Sequence, residues 1–159
     1  MAKAREIPGL SGRDRFREAA VAVVEVRADE LWEHAAGVLD VNDIERVHDM
    51  RVATRRLRAV LEIFAPCFPG KLHRSVLRDV KALADALGER RDPDVQIAHL
   101  EAYAEAAPGG DRPGVGLLVE RLRARQGAAN AGLAAALAEV ERSDLRGRLR
   151  ALVEEARRG

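Results

Sequence analysis

His48, Arg51, Arg55 and Arg58 recur at steps of three, four and three residues. At about 100° per residue this spacing lines them along one edge of a helix, roughly a turn apart. Arginine grips phosphate through a planar fork of donors, and histidine adds a donor that strengthens on protonation. A second row follows at Lys71, Arg74, Arg78 and Lys81. Apolar stripes run beside both rows: Val47, Met50, Thr54, Leu57, Leu61 and Phe64, then Leu72, Val76, Val80, Leu83 and Leu87. If the two helices pack antiparallel through these stripes, their basic rows border one groove, with Arg90 and Arg91 expected near one end. Such a groove focuses positive potential and attracts an extended polyanion.

The plainer reading is that charged side chains fringe a core and their stems cover its margin. That reading predicts acidic residues mixed in at i,i+4 spacing, yet only Glu62 continues the first row. Like charges one turn apart repel, so an anionic partner accounts for the arrangement. Arg56 projects away from the row, and we expect it to pair with Asp92 or Asp94 and hold the bundle together.

Other chemistry finds little support. Glu45 and His48 have the Glu-x-x-His spacing of di-iron bundles, but such a site needs a second copy and more carboxylates, and the chain has no other such pair. His34, His73 and His99 fall on separate expected helices, and Cys67 reads as structural, so no metal is expected. No phosphate-cradling glycine loop, serine elbow or metalloprotease signature occurs. With no nucleophile–base arrangement, the chain reads as non-catalytic and without a cofactor. Nucleic-acid binding through the same surface is an alternative, disfavoured because none of the five aromatics interleaves with the rows to stack bases. A scaffold whose groove docks an acidic protein is the other alternative.

The elements that carry these rows must be helices. No segment alternates with period two, and none is rich in β-branched and aromatic residues, so the fold class expected is all-α, an antiparallel bundle of about six helices. Residues 1–10 read as a flexible lead-in and 11–159 as one domain, a four-helix core over 11–107 followed by two helices over 111–159. Helix one runs from Ser11 toward Gly37. Helix two is capped by Asn42 or Asp43 and ends before Pro66. Helix three stops at Leu87 with Gly88 as its cap, and Asp92-Pro93 opens a fourth that reaches about Ala107. Pro108-Gly109-Gly110 breaks the chain before a fifth, and Ser143 or Asp144 caps a sixth. The Ala-rich stretch 127–138 reads as ordinary helix.

The 159 residues are 47% hydrophobic and 33% charged, which suits a folded domain and excludes a disordered tail. The net charge of +1 conceals a basic middle: residues 46–91 hold 11 Lys and Arg against 5 Asp and Glu. Of the 27 basic residues only Lys3, Lys71 and Lys81 are lysine. No apolar run approaches the roughly 18 residues of a membrane span, and a lone cysteine suits the cytoplasm.

The run His48-Asp-Met-Arg-Val-Ala-Thr-Arg-Arg-Leu-Arg58, followed by Phe64, resembles the signature helix of the CHAD family, the conserved histidine α-helical domains. Leu87-Gly-Glu-Arg-Arg-Asp-Pro-Asp-Val95 resembles the family's second marker. The resemblance covers 11–107 closely and the rest loosely. It implies a helical bundle that binds inorganic polyphosphate on a basic surface, with association to polyphosphate granules. Carried over to this chain, His48, Arg51, Arg55 and Arg56 match the signature, Lys81 falls at a commonly basic position, and Arg91 begins the second marker. Family members are usually duplicated, and nothing after Pro108 repeats the first motif. The expectation is therefore a half-domain that pairs with a second copy, the alternative being a fragment of a longer chain.

Overall fold

The computed structural model describes residues 3–159. Five α-helices follow in order: α1 (Phe16–Glu33), α2 (Ile44–Ile63), α3 (Gly70–Ala106), α4 (Arg112–Arg142) and α5 (Leu145–Arg158), with a short 3-10 turn at Ala65–Cys67. No strand occurs among the described residues. The class is as expected, but the described residues form five α-helices where about six were expected.

The difference lies at Asp92-Pro93, which opens no new helix. The chain continues through it, so the expected third and fourth helices are one 37-residue α3 with Pro93 inside. An interior proline costs about 3 kcal/mol, because it removes one hydrogen bond and crowds the preceding turn. Pro93 is buried, and the turn around it is fastened from the side. Arg90 pairs with Asp94 one turn on, Gln126 of α4 donates to the same carboxylate at 2.6 Å, and Arg90 Nε donates to Asn130 of α4 at 3.0 Å. Tertiary contacts thus override the local stop signal, and Gly88 lies within the helix instead of capping it.

The start of α1 also shifts. The Ser11 amide and hydroxyl bond the Asp14 carboxylate at 2.8 and 3.0 Å, which holds these residues in a turn of their own. The Arg15 amide then donates to Glu18 at 3.1 Å, and the helix begins at Phe16. It ends at Glu33, short of Gly37, which takes φ +70° in the loop while Arg46 packs against it and donates to the Ala36 carbonyl at 3.1 Å. The lead-in is not loose at Arg5, which bonds Glu30 and Glu33 and whose carbonyl accepts from Arg27 at 3.0 Å.

The main core joins α1, α2, α5, the first half of α3 and the second half of α4. Val47, Met50, Leu57 and Leu61 of α2 meet Val76, Val80, Leu83 and Leu87 of α3, all at most 1% exposed. Each such apolar side chain contributes about 1.5–3 kcal/mol on burial. His73 locks the α2–α3 connection: buried and stacked on Phe68, its Nε2 lies 2.7 Å from the Leu61 carbonyl oxygen and donates to it. Beyond Pro93, α3 and the first half of α4 share only a small second core of Ile97, Val115 and Val119. No helix among the described residues is long and apolar enough to cross a membrane.

Candidate functional site

The helical register that buries the apolar stripe of α2 also fixes its basic row. His48, Arg51, Arg55 and Arg58 stand beside that stripe, half-buried except for the exposed Arg55. They extend over about 15 Å of helix at 1.5 Å per residue. The α3 residues Arg74 and Arg78 are exposed and Lys81 is half-exposed.

One contact ties the two rows together. Arg58 Nε donates to Glu62 Oε1 at 3.2 Å, and Lys81 Nζ reaches the same oxygen from α3 at 3.0 Å. Side chains lean toward the N-terminus of their helix, so Glu62 and Lys81 on antiparallel helices lean toward one level. The Lys81 and then the Arg58 hydrogen bonds hold the Glu62 carboxyl below its usual range. Arg78 pairs with its neighbour Asp79 at 2.9 Å, and Asp79 also receives Arg148 of α5 at 2.5 Å. Burial pushes the Asp79 carboxyl up, but the Arg148 and Arg78 hydrogen bonds prevail and hold it below the ordinary value. Arg51, Arg55 and Arg74 have no ion-pair partner among the described residues.

Arg91 lies at the other end of α2, 17% exposed, donating to the Ile44 carbonyl at 3.2 Å and lying 3.8 Å from Glu45. Arg90, expected beside it at the groove, is instead fully buried against α4. Asp94 turns inward to Arg90 and Gln126, and Asp92 is exposed. The partner expected for Arg56 was Asp92 or Asp94, and the Asp94 carboxylate is taken by Arg90 and Gln126. Arg56 faces α1, close enough to Glu30 to help lower that carboxyl electrostatically. Burial raises Glu30, but the Arg5 amide and Arg27 outweigh it. Sequence reasoning missed Gln126 and Asn130, whose separation of more than 30 residues from the second motif leaves no local signal.

His48 also stands with Glu45 and Asp49, their ligating atoms all within 4.8 Å of one another. This set would offer a divalent ion three ligands from one side of one helix, with the Arg91 cation already near Glu45. The concave surfaces lie mostly elsewhere. A cleft of about 390 Å³ between α1 and α5 is lined by Asp29, Trp32, Arg146 and Arg150, the Arg146 guanidinium lying 5.8 Å from the Trp32 ring centre. On the α2 row, Arg55 lines a shallow depression of about 320 Å³ with Val52, Arg56 and Ala59. A shallow basic edge suits a linear anion that lies along it better than a compact substrate that must be enclosed.

The family model for the CHAD domain matches residues 22–159. No curated protein matches the chain. The family match runs on through α4 and α5, which the motifs alone had joined to the resemblance only loosely. An all-helical bundle, the two motifs on α2 and α3, and a match over nearly the whole sequence agree: the chain belongs to the CHAD domain family.

Proposed function

We propose that this chain binds inorganic polyphosphate, without catalysis, along the basic edge of α2 and α3. The observation that carries the reading is that Arg51, Arg55 and Arg74 lack ion-pair partners among the described residues while Arg58 and Lys81 converge beside them on one oxygen. Such a row repels itself until an anion arrives, and each guanidinium can then form charge-assisted hydrogen bonds with phosphoryl oxygens. His48 and Arg91 extend the edge toward the start of α2, and Arg78 extends it along α3. The family membership supports the same ligand class.

Nucleic acid is the weaker reading because four of the five aromatics are engaged elsewhere and the fifth, Tyr103, lies beyond Pro93 on α3. Phe16 meets Phe64 with ring centres 5.0 Å apart, Phe68 stacks on His73, and Trp32 lies beneath Arg146. None is left beside the row as a platform for bases. The test is titration with long-chain polyphosphate at two salt concentrations, with duplex and single-stranded DNA and an acidic peptide as competitors. Poor displacement by all three competitors supports the reading, and equal displacement by DNA or peptide replaces it with a general basic surface or a protein dock.

A second copy is the protein partner this reading favours, bound through the arm formed by α3 beyond Pro93 and the first half of α4. Leu117, Tyr103 and Leu118 stand 63%, 54% and 48% exposed there. Residues 95–107 carry Glu101 and Glu105 with no Lys or Arg, whereas 112–125 carry four Arg and one Glu. Glu101 and Arg123 already pair at 2.8 Å within one copy, so a two-fold pairing of these arms would serve chiefly to cover the apolar residues.

A further inference from the structure

The Glu62 carboxylate stands between the two basic rows and is held by one cation from each. A single oxygen, Oε1, receives Arg58 from its own helix at 3.2 Å and Lys81 from the facing helix at 3.0 Å. Bridging of one anionic oxygen by two cations is the contact the basic edge would offer a polyanion. Glu62 is also the one carboxylate continuing the α2 row, placed where that row meets α3. Its side chain and both partners are about 41–42% exposed, so the three groups are accessible and no packing must break to separate them. Exposed ion pairs of this kind are weak, which makes them exchangeable.

Building on the polyphosphate reading, we infer that Glu62 is a resident anion that bridges Arg58 and Lys81 in the free protein and is displaced when a polyphosphate chain fills the edge. The contact is intramolecular, so the carboxylate competes at a high effective concentration. An isolated phosphate meets that competition unaided. A chain already anchored on Arg51 and Arg55 delivers its next phosphoryl groups intramolecularly too, and meets Glu62 on equal terms. Glu62 therefore acts as a specificity residue, selecting against single anions in favour of chains that span both sites.

The experiment compares binding of long-chain polyphosphate to the wild-type chain, Glu62→Gln and Asp85→Asn at two salt concentrations. Asp85 is an exposed carboxylate of α3 with no ion-pair partner among the described residues, so its variant removes the same charge without freeing a cation pair. Displacement predicts roughly fivefold tighter binding for Glu62→Gln, in line with two exposed ion pairs no longer to be broken. The salt slope should stay the same, because Arg58 and Lys81 end on phosphates in both proteins. Asp85→Asn should change affinity less than about twofold, because it breaks no pair. Unchanged affinity for Glu62→Gln, or an equal gain for Asp85→Asn, overturns this inference and leaves the polyphosphate reading standing. Absence of binding by every protein overturns both. Glu62→Ala repeats the test should the glutamine variant fail to fold.

Discussion

Asp94→Ala should be among the most damaging single substitutions in the second motif, through stability and not through ligand contact. Arg90 is fully buried with Asp94 as its ion-pair partner, and both side chains are 0% exposed. Truncating Asp94 leaves a guanidinium in the interior without its counter-charge and deprives Gln126 of its acceptor. Breaking one side of a buried pair typically costs about 3–5 kcal/mol. At roughly 2–4 °C per kcal/mol for a chain of this size, the melting temperature should fall by about 6–20 °C. The pair is nevertheless incompletely satisfied, since Arg90 Nη2 and Asp94 Oδ2 have no hydrogen-bond partner among the described residues. Joint replacement by Arg90→Met and Asp94→Leu should therefore restore most of the loss, as apolar replacements of buried pairs often do. Urea and thermal unfolding of both single variants and the double variant form the assay. A cost below about 1 kcal/mol for Asp94→Ala, or a double variant worse than the single, would refute the claim that this pair is a buried clamp.

The groove itself gives a second prediction: Arg51→Ala and Arg55→Ala should each weaken polyphosphate binding several-fold and make the salt slope shallower by about 0.7, with unchanged melting temperature. Acid should destabilise the fold through Glu30 and Asp79. Both carboxyls are held below their ordinary values of 4.5 and 3.8, so their contribution is present above those values and disappears as pH falls through the lower folded-state values. Urea midpoints across that range should drop with pH, and Asp79→Asn should flatten the curve; an unchanged curve would remove Asp79 from the account. For the arm, sedimentation equilibrium should show a dimer that Leu117→Glu with Leu118→Glu converts to monomer, whereas a monomeric wild-type chain would end that proposal.

Periodicity alone made α2 and the first half of α3 legible, because one face of each is apolar at helical spacing and the basic rows stand beside it. Val47, Met50, Leu57 and Leu61 are all buried as the stripe requires. The reading fails at Pro93, where local chemistry says stop and the Arg90–Asp94–Gln126–Asn130 network from α4 keeps the helix going. That network joins residues up to 40 positions apart, and no local pattern announces it. The same distance hides Arg148, which leaves α5 to hold Ser75 at 2.7 Å and Asp79. Charge patterning identified Glu62 as the exception in its row, but only the packing of α3 reveals that Lys81 completes its surroundings. His73, unremarkable in sequence, became important once the α2 carbonyl it caps was in view.

The most direct measurement is calorimetric titration of the chain with long-chain polyphosphate at two salt concentrations, with DNA as competitor. Neutralising about five cations, among them Arg51, Arg55 and Arg74, predicts a slope of log affinity against log salt of about −3 to −4. DNA should compete poorly. A slope near zero, or DNA displacing the polyphosphate as readily as polyphosphate itself, would contradict the assignment of this edge to a linear phosphate chain.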